Sequence, residues 1–123
     1  MRRRPIDEVL RRYDAYVLRN QAVMIAKNDD YGGSWEGMRP ESITDQLDVK
    51  VQRIKTLERK RRQGQKPRIS EGIEAELLDI MNYCVFRLIK EEEWAEEHRW
   101  MIKRALKRFF ARLANRFRAS FGR

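Results

Sequence analysis

Apolar residues recur along the chain at steps of three and four, which places them on one face of an α-helix. Three such series are separated by polar segments, and none of them alternates as a β-strand would. The chain is therefore predicted to be all-α, a small bundle of three to four helices. The apolar faces consist of Ile6, Val9, Leu10, Tyr13, Val17 and Met24, then Ile43, Leu47, Val51 and Ile54, then Ile73, Leu77, Met81, Cys84 and Leu88.

Local signals set the expected ends of these helices. The first helix is predicted over residues 5–27, and three glycines and a proline predict a loop over residues 28–40. Ser42 and Asp45 have the spacing of an N-terminal capping box, so the second helix is predicted to begin there. The third helix is predicted to begin at Ser70, which can cap it.

The composition changes at the carboxyl end. The chain has 28 Lys+Arg and 19 Asp+Glu, and nine of the basic residues but no acidic one lie in residues 99–123, which carry the whole net charge of +9. We therefore predict a formally neutral helical domain over residues 1–98 and a basic amphipathic extension over residues 99–123. The helical pattern of the third series runs on into this extension, through Trp94, His98, Ile102, Ala105, Leu106, Phe109, Leu113 and Phe117.

The basic extension has three interpretations. Its apolar stripe could complete the core or a dimer interface, because the remaining helical unit is small. Its cations could instead bind nucleic acid, or the segment could lie on an anionic membrane surface.

Composition also excludes several classes of protein. No apolar run approaches the roughly 20 residues that a membrane-spanning helix needs. No apolar stretch follows the basic start of the chain, as it would in a secretory signal. One cysteine, Cys84, and one histidine, His98, exclude a disulfide scaffold and a Cys/His zinc site. The expected location is the cytoplasm.

The third predicted helix carries a pair of carboxylates. Glu76 and Asp79 are three residues apart, so they lie on one face, and Glu74 occupies the neighbouring flank. Two carboxylates at this spacing can bind Mg²⁺, which takes oxygen ligands and also binds substrate phosphates. A solvated acidic helix face is the alternative interpretation.

An aromatic pair beside a glycine turn is the second candidate site. Tyr31 and Trp35 flank two glycines and could stack on a nucleotide base, with Lys27 against a phosphate. The alternative is that both rings cap the hydrophobic core.

Two cations on the second helix complete the candidate chemistry. Lys50 and Arg53 share a stripe of that helix and could bind phosphates. They could equally pair with Glu76 and Asp79 across a helix interface.

These residues fall into five short blocks that follow one another along the chain. The blocks are Lys27-x-x-Asp30-Tyr31-Gly32-x-x-Trp35, Arg39-x-x-Ser42-Ile43-Thr44-Asp45-Gln46, Lys50-x-x-Arg53-Ile54, Glu71-Gly-Ile-Glu74-x-Glu76 and Asp79-Ile-x-Asn82-Tyr83. Over about residues 20–90 they resemble the nucleotide modification associated domain 1 family, a small helical domain of phages and bacteria. The resemblance implies a role in the metabolism of modified nucleotides, in a bacterial or phage-infected cell. The candidate substrate-binding residues are Lys27, Asp30, Tyr31, Trp35, Lys50, Arg53, Asn82 and Tyr83.

The helix with Glu76 and Asp79 is also similar to the metal-binding helix of MazG-like all-α nucleoside triphosphate pyrophosphohydrolases. This similarity implies Mg²⁺ bound by Glu76 and Asp79, with Glu74 or Asp45 as further ligands, and a homo-oligomer. The preceding helix of those enzymes carries Glu-Glu-x-x-Glu, whereas this chain has only Asp45, Asp48 and Glu58 there.

Two functions of different classes follow from these observations. One is a nucleotide-metabolism protein that binds a nucleoside triphosphate with Mg²⁺, with or without hydrolysis to release pyrophosphate. The other is a non-catalytic module that binds nucleic acid through residues 99–123.

Overall fold

The structure, a computed structural model, describes residues 2–68 and 72–121. It contains three α-helices, α1 (Ile6–Tyr31), α2 (Pro40–Arg62) and α3 (Ile73–Phe121), with a short 3₁₀ helix, Ser34–Gly37, between α1 and α2. No strand occurs in the described ranges. The all-α prediction is confirmed, as is the continuation of the third helix into the basic extension. The expected start at Ser70 lies outside the described residues.

Packing divides the chain into two compact units, Met1–Leu88 and Ile89–Arg123. The first unit contains α1, α2 and the first part of α3. The second contains the remainder of α3. The predicted division between residues 98 and 99, which follows the charge, stays a prediction.

Helix α1 ends four residues later than predicted. Residues 28–31 belong to its last turn, although Asn and Asp have low helix propensity. The chain leaves the helix at Gly32, whose φ of 69° is accessible to glycine without a steric cost. The Gly32 amide donates to the carbonyl oxygen of Asn28 at 2.8 Å and satisfies one of the last free carbonyls.

Helix α2 begins at Pro40 rather than at the predicted capping box. Arg39 is the N-cap, no side chain caps this end, and Ser42 already lies in the first turn. Proline suits this position because its missing N–H would have no helical partner there and its φ is already helical.

The interior of the first unit is unusually polar. Ile43 is the single apolar side chain among the described residues that is fully buried. Four polar residues are buried beside it, with relative exposures of 4–7%: Asn20, Lys50, Glu76 and Asn82. Charged residues are rarely buried without a partner, so Lys50 and Glu76 are expected to be paired.

The predicted apolar face of α3 is wrong in part. Leu77, Cys84 and Leu88 are exposed, whereas Glu76 and Asn82 face the interior. The physical reason is that α2 presents Lys50 to this side of α3, and a buried carboxylate beside a buried ammonium is less costly than either alone.

Other apolar stripes also lie on the surface. In the first half of α1, Ile6, Val9, Leu10 and Tyr13 are exposed. Every described residue of the segment 99–121 is exposed, so its stripe does not complete a core in the single chain. Among the described helices, none is long and apolar enough to cross a membrane.

Candidate functional site

Lys50 lies at the centre of a buried charge cluster between α2 and α3. Its Nζ donates a hydrogen bond to Asp79 Oδ2 at 3.0 Å and lies 3.9 Å from Glu76 Oε2. The same ammonium lies 5.0 Å from the centroid of the Tyr83 ring, within cation–π range. Of the two expected roles for this lysine, pairing with the carboxylates of α3 is confirmed.

Asp79 also forms an ion pair with a lysine of α1. Lys27 Nζ donates to Asp79 Oδ1 at 2.9 Å, so each carboxylate oxygen accepts from a different helix. Burial alone raises the pKa of Asp79, but the hydrogen bonds and positive charges of Lys27 and Lys50 outweigh it and lower this pKa below its ordinary value. Asp79 is therefore a carboxylate anion at neutral pH.

Glu76 is the most deeply buried carboxylate of the cluster. Its Oε1 lies 3.6 Å from a guanidinium nitrogen of Arg53. Its Oε2 is buried and has no hydrogen-bond partner, although the Lys50 charge lies nearby. Buried polar atoms normally have such a partner, and the Oδ1 atom of Asn20 is the other described side-chain atom that is buried without one.

A cavity of about 260 Å³ opens next to the cluster, where the end of α1 and the 3₁₀ helix meet α3. Trp35 stacks on Phe86 with ring centroids 4.5 Å apart and planes 5° from parallel. Tyr83 contacts Phe86 edge to face at 5.7 Å. The cavity is lined by Met24, Lys27, Asn28, Tyr31, Gly32, Ser34, Trp35, Met38, Asp79, Asn82, Tyr83 and Phe86.

The two aromatic residues of the loop have different environments. Trp35 packs on Phe86, as the core-capping interpretation expects. Tyr31 is 78% exposed and still lines the cavity, so the capping interpretation does not apply to it. Most of the Tyr31 side chain is therefore exposed beside the cavity.

The structure brings half of the twelve predicted site residues together. Six of the predicted residues line this one cavity: Lys27, Tyr31, Trp35, Asp79, Asn82 and Tyr83. Lys50 reaches it through Asp79, while Arg53 and Glu76 border a separate cavity of about 710 Å³ along α2.

The remaining predicted residues lie elsewhere. Glu74 pairs with Arg19 at 2.6 Å, on the surface. Asp30 and Asp45 are exposed and line neither cavity.

Several residues of the site are absent from the sequence prediction. Phe86 and Asn28 line the cavity, and Asn20 donates to the Leu78 carbonyl oxygen at 2.9 Å, which ties α1 to α3. Phe86 and Asn28 are each three residues from a predicted position, Tyr83 and Tyr31. Spacing along a helix face could therefore have found them.

The groups that could bind the predicted Mg²⁺ ion are the carboxylates of the charge cluster. The described ranges hold no group of three carboxylate, histidine or cysteine side chains close enough to bind a metal ion. Asp79 and Glu76 instead face Lys27, Lys50 and Arg53. Beside these carboxylates, lysine and arginine supply the positive charge that a metal ion would otherwise provide. The magnesium site stays a prediction.

Comparison with known proteins gives the family. The model of the family described as nucleotide modification associated domain 1 matches residues 27–90, which is 64 of the 123 residues and spans the cavity and the charge cluster. No curated protein and no solved structure matches the chain. The more distant similarity to MazG-like pyrophosphohydrolases receives no support and stays a prediction. The chain belongs to the nucleotide modification associated domain 1 family.

Proposed function

We propose that the Met1–Leu88 unit binds a nucleotide, with its base and sugar in the 260 Å³ cavity at the end of α1. The observation that supports this function is the composition of the wall, which combines aromatic rings, two asparagines and a lysine. A cavity of this size lies just below the range of roughly 300–1,000 Å³ for drug-sized ligands and suits a single nucleoside.

Base stacking is the first contact that we assign. Tyr31 has an exposed ring at the cavity mouth, and Tyr83 provides a second ring on the α3 side. Aromatic faces stack on any base, so this contact supplies affinity without much base preference. Asn28 and Asn82 line the same space, and their amides can donate to and accept from a base edge.

The phosphate is assigned to Lys27. Its ammonium bonds Asp79 Oδ1 at the cavity wall, and its positive charge can attract a phosphate at the mouth. Lys50 does not line the cavity, but its positive charge offsets the negative charges of Asp79 and Glu76. Without that lysine, two carboxylates close to the cavity would repel an anionic ligand.

Titration calorimetry of the full chain tests the proposal. Deoxynucleosides, monophosphates and triphosphates are each titrated with Mg²⁺ and with EDTA. We expect binding that Tyr31→Ala weakens by about five- to hundredfold, the value of one stacked base. Tyr16→Ala is the matched control, because Tyr16 is an exposed tyrosine of the same helix, about 22 Å away along its axis. Failure of every nucleotide to bind at millimolar concentration would overturn the proposal.

Hydrolysis is a separate question from binding. The pyrophosphohydrolase activity implied by the MazG-like similarity would require Mg²⁺, and pyrophosphate release from bound triphosphates measures it directly. Glu76→Gln removes one negative charge from the buried cluster, so loss of release with retained nucleotide binding would assign Glu76 to the reaction.

We also propose that the chain forms a homo-oligomer. The apolar stripe of α1 contributes Val17 and Met24 to the half-buried part of the unit, while its first half is 44–67% exposed. A second copy that covers Val9, Leu10 and Tyr13 would bury this surface. Sedimentation velocity of the full chain and of Leu10→Gln tests the association, and a monomer at all concentrations would contradict it.

A further inference from the structure

The strongest surface outside the cavity lies on residues 99–121, within the Ile89–Arg123 unit. All described residues of this segment are helical and exposed. Nine large apolar side chains are 39–79% exposed there, and seven of them form one stripe: Ile102, Leu106, Phe109, Phe110, Leu113, Phe117 and Phe121. Contiguous exposed apolar surface of this kind marks an interaction site.

From Ile102 onwards, apolar and basic residues occupy different faces of this helix. At about 100° per residue, the seven apolar side chains fall within about a third of the circumference. The opposite face carries Arg104, Lys107, Arg108, Arg112 and Arg118. Residues 99–121 contain no acidic residue, so nothing in the segment neutralises these cations.

We propose that residues 99–121 bind in the plane of a membrane surface rich in anionic lipid. The aromatic and aliphatic face enters the boundary between headgroups and acyl chains, and the cations lie at the level of the phosphates. A basic helix with Phe and Leu on the opposite face has the composition of interfacial helices. Lysine and arginine at the edges of the apolar face can extend their charges to the headgroups.

Nucleic acid would contact the basic face of this helix and leave its apolar face exposed to water. Proteins that bind single strands combine basic groups and aromatic platforms in one groove, so that backbone and bases are contacted together. Here Phe109 and Phe117 lie on the opposite side of the helix from Arg104 and Arg108. A bound strand on the basic face would leave the phenylalanines in water.

A second copy packed through the same residues, 99–121, would cover the apolar face but would leave the cations without acidic partners. Lys103 and Arg116 border the apolar stripe. Packing stripe against stripe would place these cations beside those of the partner, with no acid between residues 99 and 121 to pair with them. Helix pairs normally place opposite charges at those flanks. Anionic lipid is therefore the occupant that satisfies both faces.

Co-sedimentation of the full chain with vesicles tests the proposal. We expect binding to phosphatidylglycerol/phosphatidylcholine vesicles, weaker binding in high salt, and little binding to phosphatidylcholine alone. The double substitution Phe109→Gln, Phe117→Gln should weaken binding at least about tenfold. The matched control is Leu18→Gln, Ile25→Gln, two apolar residues of α1 that are 68% and 65% exposed. Circular dichroism verifies that each variant keeps its helix content.

Three results would overturn the proposal. Equal binding to both vesicle types would remove the role of lipid charge. Unchanged vesicle binding in the phenylalanine variant would remove the role of the apolar face. Absence of vesicle binding is the third result. If the chain then binds DNA in a salt-dependent way, the segment belongs to nucleic acid. If the chain then forms a dimer that the phenylalanine variant dissociates, the segment belongs to a second copy.

Discussion

Lys27 and Asp79, which lie 52 residues apart in the sequence, form an ion pair of 2.9 Å in the wall of the cavity. The pair joins the last turn but one of α1 to α3, and the other oxygen of Asp79 is bonded to Lys50 of α2. One carboxylate therefore connects all three helices of the Met1–Leu88 unit, which makes Asp79 important for stability as well as for the candidate site.

Asp79→Asn is expected to destabilise the protein by on the order of 2 kcal/mol at neutral pH, because charge-assisted hydrogen bonds from two lysines are lost. The pKa of Asp79 is lowered in the folded state, so its contribution is complete above the unfolded-state pKa of about 3.9 and is lost as the pH falls towards the folded-state value. The stability difference between wild type and variant should therefore shrink below about pH 4.

Urea denaturation over a pH series measures this difference. Asp14→Asn, at an exposed position of α1, is the control and should change little. A stability difference that stays constant into the acid range would contradict the assigned role of Asp79.

Lys50→Met is expected to cost about 3–5 kcal/mol, since it leaves the buried Glu76 and the half-buried Asp79 without their shared cation. Methionine preserves much of the side-chain volume, so the loss reports charge rather than a cavity. Lys55→Met, at an exposed position of the same helix, is the matched control. If both variants unfold at the same urea concentration, the cluster does not stabilise the unit.

Trp35→Ala is expected to cost about 2–3 kcal/mol, less than a fully buried tryptophan, because Trp35 is half-buried and stacks on Phe86. Trp35→Phe should retain most of the stability. Trp100→Ala serves as the control, since Trp100 is 57% exposed in the other unit. Equal melting temperatures for Trp35→Ala and Trp100→Ala would contradict a packing role for Trp35.

Mg²⁺ is expected to leave the melting temperature of the nucleotide-free protein unchanged at millimolar concentration. Ligands that bind only the folded state raise its stability by linkage, and the carboxylates here are engaged by lysine and arginine. Ca²⁺ at the same concentration corrects for ionic strength. A rise with Mg²⁺ that Glu76→Gln abolishes would show that the ion displaces the basic partners.

The sequence predicts the helices well because their apolar periodicity is local. It misplaces the end of α1, where Gly32 stops the helix later than the composition of residues 28–31 suggests. It assigns the wrong inner face to α3, because burial of Glu76 depends on Lys50 of another helix. The pairing of Lys50 with Glu76 and Asp79 is one of the two roles that the residue types alone allow for this lysine. The cavity depends on how closely the end of α1 approaches α3, which no spacing within one helix specifies.

The polar interior of the Met1–Leu88 unit has a calorimetric consequence. Exposure of apolar surface raises the heat capacity on unfolding, exposure of polar surface lowers it, and folded proteins average about 12–15 cal/mol/K per residue. With Ile43 as its one fully buried apolar side chain among the described residues, the isolated chain should fall below that range. A measured heat-capacity change of unfolding above the value expected for the isolated chain would therefore report how much of the exposed apolar surface is covered in solution.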